Sequence, residues 1–138
     1  MGAMATLSRQ VPLERGTLIM TTIKTYTLDY DDKAEVIVEV DHDILNDELL
    51  HQINNFWSDA KFRLIDCNGN ILKVVLRLLA TAALREEIMN WSAVTSFQQG
   101  TMEGWPKLDG SYGIKLVKVE ELTFEDSDIN IKCDGVYL

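Results

Sequence analysis

At 138 residues, with 46% apolar residues, four Phe, four Tyr and three Trp, the chain has the length and material for one domain with a proper core, which argues against disorder except at the ends. Its 13 Lys and Arg stand against 22 Asp and Glu, a net charge of −9. That balance disfavours direct nucleic-acid binding, because phosphate contacts need a basic footprint. The longest apolar run is broken by Lys73 and Arg77, too early for a membrane span, and no basic start with an apolar run and a small-residue cleavage site marks a secretory signal.

Residues 1–20 differ in character from the rest of the chain. Met1-Gly-Ala-Met4 resembles a cloning scar and Met20-Thr-Thr-Ile23 a natural start, so this segment is expected to be a tag, a leader or an N-terminal arm, with 21–138 as a single domain. From Thr22 to Tyr30, Tyr26, Leu28 and Tyr30 alternate with Thr25, Thr27 and Asp29. From Ala34 to Val40, Val36, Val38 and Val40 alternate with Glu35 and Glu39. Period two with β-branched and aromatic residues predicts two strands, and the short polar Asp31-Asp32-Lys33 predicts a hairpin between them. Asp41 or Asp43 then offers an N-cap for an amphipathic helix through Ile44, Leu49, Leu50, Ile53 and Phe56 to Trp57. Ser58 to Cys67 suits a second short helix closed by Asn68-Gly69, with a strand turned by the same dipeptide as the competitor.

Asn70 to Asn90 organises the rest. At 3.6 residues per turn, Lys73, Arg77, Thr81 and Arg85 form one polar row, while the remainder from Ile71 to Leu84 is Ile, Leu, Val or Ala. Such a helix must be covered on several sides and is the expected central helix. The polar row reads as its solvated edge, with aliphatic stems covering core. Trp91 to Gln99 suggests a turn or two of helix around Val94 and Phe97. Gly100 to Gly113 is a turn-rich loop, Ile114 to Val119 a third strand that Leu122 to Phe124 could prolong, and Asp128 to Cys133 a fourth. The order β-β-α-α-α-β-β indicates an α+β fold, an antiparallel sheet of about four strands with helices packed on one face.

Charge is uneven along the chain. From Asp29 to Glu48, nine acids face Lys33 alone, and from Glu120 to Leu138, six acids face Lys132 alone, nets of −8 and −5. The exposed side of the hairpin is therefore the expected protein-binding face, made by Asp29, Asp31, Asp32, Glu35 and Glu39 and extended by Asp41 and Asp43 toward the helix start. Cys67 and Cys133 read as idle thiols. Pooled with His42 and His51 they lack the paired spacing that preorganises zinc, so no metal and no cofactor is expected. No phosphate-binding glycine loop, dinucleotide fingerprint or H-E-x-x-H helix is present.

The least generic stretch is Glu103-Gly-Trp-Pro-Lys-Leu-Asp-Gly-Ser-Tyr-Gly-Ile114. Pro106 holds Trp105 extended and Asp109-Gly110 reads as a tight turn, giving a rigid loop that either buries Trp105 as a core plug or presents it as a binding anchor. Glu103, Asp109 and Ser111 could be taken for a catalytic set, but neither His lies near them in sequence. At Glu-Gly-Trp-Pro and Asp-Gly-Ser-x-Gly-Ile, with a Phe-Trp-ended helix and a Leu-rich helix upstream, the chain resembles a family of small uncharacterised proteins of tailed phages and prophages, over roughly Ile23 to Val119. The resemblance implies a phage product working in a bacterial cytoplasm and supplies no site residues.

The expectation is a phage accessory protein that binds a host or phage protein with a basic surface, contacts neither nucleic acid nor membrane directly and is not an enzyme. Inhibition of a host defence complex of the CRISPR type is its most concrete form, since such machines hold nucleic acid in basic channels that an acidic domain can occupy. A phage structural or assembly factor is the alternative, and an orphan enzyme with a site near the Trp105 loop is the other.

Overall fold

The computed structural model describes residues 2–12 and 18–138, with side chains from residue 22 onward; Met1 and 13–17 lie outside the described residues. Four antiparallel strands form the sheet in the order β1 (Gly2–Pro12), β2 (Leu18–Tyr30), β3 (Ala34–Asp41), β4 (Ile114–Val119). The helices α1 (Asp47–Phe56), α2 (Ala60–Asp66), α3 (Ile71–Asn90) and α4 (Ala93–Gln98) come between β3 and β4 in the chain. This is the expected α+β architecture. The segment set apart as a tag, leader or arm contributes β1, paired with β2 from Gly2 opposite Thr27 to Pro12 opposite Leu18.

The alternating pattern sets the hairpin register. Tyr26 faces Val38 and Leu28 faces Val36, so these side chains share the inner face. Val36, Val38 and Val40 are fully buried there with Ile114 and Leu116 of β4. Lys33 N–H donates to the Tyr30 carbonyl at 2.8 Å, and Asp31 and Asp32 between them take left-handed φ values of 51° and 57°. That is the type I′ turn, whose twist suits a hairpin.

The α3 helix lies against the inner face and buries Ile71, Val74, Val75, Leu76, Leu79, Ala83 and Leu84 into one core with Leu50, Ile53, Phe97 and Leu108. Burial of each large aliphatic is worth roughly 1.5–3 kcal/mol, far above what propensity gives a helix of this length. Side-chain caps start three helices: Asn46 accepts from Leu49 N–H, Asn70 from Lys73 N–H and Ser92 from Thr95 N–H. Asn68 and Gly69, at φ 54° and 79°, close α2 as expected, and the axes of α2 and α3 diverge by 114°.

Two expectations are corrected. The cap of α1 is Asn46, not Asp41 or Asp43. Asp41 ends β3, where its N–H donates to the Gly113 carbonyl and its own carbonyl accepts from Ile44 and Leu45, so residues 41–45 are a turn and not the first turn of a helix. The Asp128–Cys133 strand does not join the sheet. Only Lys132–Cys133 (β5) pairs, with Val136–Tyr137 (β6), in a separate ribbon after a 3₁₀ turn at Asp126–Asp128. The reason is that the outer edge of β4 is already taken. Leu116 N–H donates to the Leu108 carbonyl at 3.1 Å, Gly110 N–H to the Ile114 carbonyl at 3.0 Å, and the Gln98 side chain to the Leu116 carbonyl at 2.8 Å. A sheet edge covered by loop and side chain cannot accept a further strand.

Candidate functional site: an arginine–tryptophan cleft on the central helix

Three distant stretches meet beside the polar row of α3. The first is the corner between α1 and α2. Arg63 donates from Nε to Asn54 Oδ1 at 2.9 Å, from Nη2 to the carbonyls of Asn54 and Trp57 at 3.0 and 3.2 Å, and from Nη1 to the Ser58 carbonyl. One guanidinium thereby ties the last turn of α1 to the two residues that follow it and holds the Trp57 backbone in place.

The second stretch is the loop before β4. Trp105 N–H donates to the Met102 carbonyl at 3.2 Å, and the indole, 8% exposed, meets the Phe97 ring edge-on with centroids 5.9 Å apart. Trp105 is therefore mainly a core plug. Gly104, at φ 84°, lets the Phe56 and Trp57 rings close in, since a Cβ there would lie 2.6 and 2.7 Å from them. Asp109, Gly110 and Ser111 make a turn in which the Ser111 hydroxyl and N–H both donate to Asp109 Oδ1, at 2.5 and 2.9 Å. These bonds, the hydroxyl's above all, hold the Asp109 carboxyl below its ordinary range. A carboxylate engaged this way shapes a turn and is poorly placed as a proton acceptor.

The third stretch is α3 itself. Arg77, Thr81 and Arg85 of the polar row, with Leu78 and Ala82, line a cleft of about 300 Å³ that Trp57 and Trp105 border from the other segments. Arg77 Nη1 lies 3.3 Å from Asp66 Oδ2 and 3.5 Å from the buried Cys67 Sγ. Arg85 has no acidic partner among the described residues. The row read as a solvated edge is thus one wall of a recess, with Lys73 outside its lining. Its spacing was visible in the sequence; its opposing indoles were not.

Past the cleft, α3 ends in strain. Ser92 N–H donates to the Asn90 carbonyl at 3.1 Å across Trp91, whose φ of 86° and ψ of −44° describe a γ-turn with a left-handed φ. Such turns are rare and strained for a side chain of this size. The indole is 90% exposed, beside the exposed Ile88 and Met89.

The acids fall into two groups. Asp29, Asp31, Asp32 and Glu35 gather at the hairpin end of the sheet, where Glu35 N–H donates to Glu120 Oε1 at 2.7 Å and Glu120 N–H to the Glu35 carbonyl at 2.9 Å. Asp32 N–H donates to Asp29 Oδ2 at 3.3 Å, and Lys33 sits 3.8 Å from Asp31. At the other end, Glu39 lies opposite Lys115 in register, and Asp41 holds Asp43 in the β3–α1 turn with its carboxylate accepting Asp43 N–H at 3.0 Å. Trp105 belongs to neither group. His42 Nε2 lies 3.0 Å from the Tyr26 hydroxyl, whose pKa burial pushes up, and His51 is exposed on α1. Among the described residues no three His, Cys, Asp or Glu converge as metal ligands, and no single helix is long and apolar enough to cross a membrane.

Fold and cleft together define a small α+β domain with a recessed Arg–Trp face and an acidic sheet end. The chain belongs to the family described as a protein of unknown function, DUF2528, whose pattern matches residues 35–131. Two relatives are each 41% identical over 116 residues, covering 79% of this chain and 94% of the relative: protein ea10 of Escherichia phage lambda and the Lambda prophage-derived protein ea10 of Escherichia coli O6:H1. The family is thus one with phage and prophage members. No solved structure matches the chain.

Proposed function

We propose that the chain is a phage accessory protein that acts without catalysis, by binding another protein through the acidic hairpin end of its sheet. The observation that carries this reading is the hairpin tip. A type I′ turn is relaxed with Asn-Gly at its centre, yet here two adjacent aspartates occupy the left-handed positions, at φ 51° and 57°. Their charges add to those of Asp29, Glu35 and Glu120 in one fixed group. A tip that keeps like charges together in strained backbone trades stability for a surface, and a basic partner would relieve the repulsion. A host defence complex of the CRISPR type, with its basic nucleic-acid channel, is a partner of that chemistry.

The test separates tip from sheet. Asp31→Asn with Asp32→Gly is expected to raise stability by about 1 kcal/mol, through relief of left-handed strain and repulsion. The same change should weaken capture of the partner from bacterial lysate at low salt and flatten the salt dependence of its association. Glu39→Gln, beside Lys115, should change binding little. Equal capture and equal salt slope for wild type and the tip variant would overturn the acidic-face reading.

A further inference from the structure

We propose that the Arg–Trp cleft receives the C-terminal tail of a second copy of this chain, so that two copies exchange tails. This rests on observations separate from the acidic hairpin.

From Thr123 to Leu138 every residue is exposed, and Phe124, Ile129, Ile131, Val136, Tyr137 and Leu138 are each more than 60% exposed. Among the described residues the β5–β6 ribbon packs on no other element. An isolated two-stranded ribbon is marginal in water, and clustered exposed apolar side chains mark a surface that something covers. The tail is also acidic, carrying Glu125, Asp126, Asp128 and Asp134 against Lys132.

The cleft has the opposite chemistry. Its apolar lining and two indoles suit a Phe or Ile side chain, and its rim carries Arg77 and Arg85. Arg85 is without an acidic partner among the described residues, and the exposed Ile88 and Met89, three and four residues on, continue the same side of α3. Acidic–apolar tail and basic–apolar cleft are complementary, and the tail stands clear of its own body. In one copy both surfaces are unfilled; reciprocal exchange between two copies fills both and closes the assembly with two-fold symmetry. Residues 120–138 can span about 60 Å when extended, ample reach for a neighbour.

The experiment uses full-length chains and light scattering after size exclusion. Wild type is expected to be a dimer. Arg85→Glu, which breaks the cleft, and a tail variant with Phe124, Ile129 and Ile131 each changed to Ser should both weaken the dimer by about tenfold or more. All the altered side chains are exposed, so thermal melts should stay near wild type. Mixing the two variants then restores one intact tail–cleft pair, and a dimer should reappear that neither forms alone. A wild type that is monomeric at every concentration overturns the proposal. So does a dimer indifferent to both variants, or a mixture that stays monomeric.

Discussion

Replacing Trp105 with Ala is expected to destabilise the fold by about 3–5 kcal/mol, the range for emptying a large aromatic site in a packed core. The indole is nearly buried, fills the space beside Phe97 in edge-on contact, and lines the cleft together with Trp57. Its removal leaves a void joined to the cleft. Water can enter from that side, which offers little to the apolar lining on the other. Urea unfolding measures the change, and Trp105→Phe should recover a large part of it. A Trp105→Ala protein that melts normally but loses its partner would make the loop a binding anchor instead of a plug.

The second large effect is expected at Gly113. Its φ of 99° lies where side chains are strained, and a Cβ there would sit 2.7 Å from the backbone nitrogen and 2.8 Å from the Cα of Leu45. Backbone cannot swing aside as the end of a flexible side chain can. The carbonyl of Gly113 also accepts Asp41 N–H at 2.8 Å, tying the loop to the end of β3. Gly113→Ala should therefore cost about 2–4 kcal/mol, strain plus displacement of the β3–α1 turn. Gly135→Ala provides the comparison, since its φ is 80° but no atom lies within 4 Å of the added Cβ. It should cost about 1 kcal/mol or less. Similar costs at the two positions would show that left-handed strain alone, and not the Leu45 contact, sets the effect at Gly113.

The parts of this fold legible in the sequence are those where one local period decides. Val36, Val38 and Val40 announce a half-buried strand, and the four-residue spacing of Lys73, Arg77, Thr81 and Arg85 announces a helix covered on its other sides. Asn68-Gly69 announces a stop, and both residues take left-handed φ. What failed depends on neighbours far away in the chain. Asp128–Cys133 alternates as a strand should, but residues 108–110 already occupy the edge it would need. Asp41 is a good capping residue by type, but the pull of Gly113 keeps it in β3 and leaves the cap to Asn46.

The site followed the same division. The acidic run was plain in the composition, while its partition into a hairpin cluster and a Lys115-facing group needed the strand register. The cleft was hidden because its walls come from three segments. Arg77 and Arg85 belong to α3, Trp57 to the end of α1 and Trp105 to the loop before β4. No local pattern predicts that two indoles will stand beside one arginine row.

The place of β4 also says how the sheet must assemble in time. β2 and β3 are joined by a three-residue turn, so their pairing is local and fast. Val40 and Ile114, by contrast, meet across roughly 70 intervening residues, a closure whose entropy amounts to about 4 kcal/mol before any contact compensates it. The chain between them carries all four helices and then the loop before β4. Helices that have already condensed shorten that span and bring β4 to the sheet edge together with the loop that seals it. The last strand therefore arrives late and arrives capped, and the open β3 edge is the sheet's period of greatest exposure to a wrong partner.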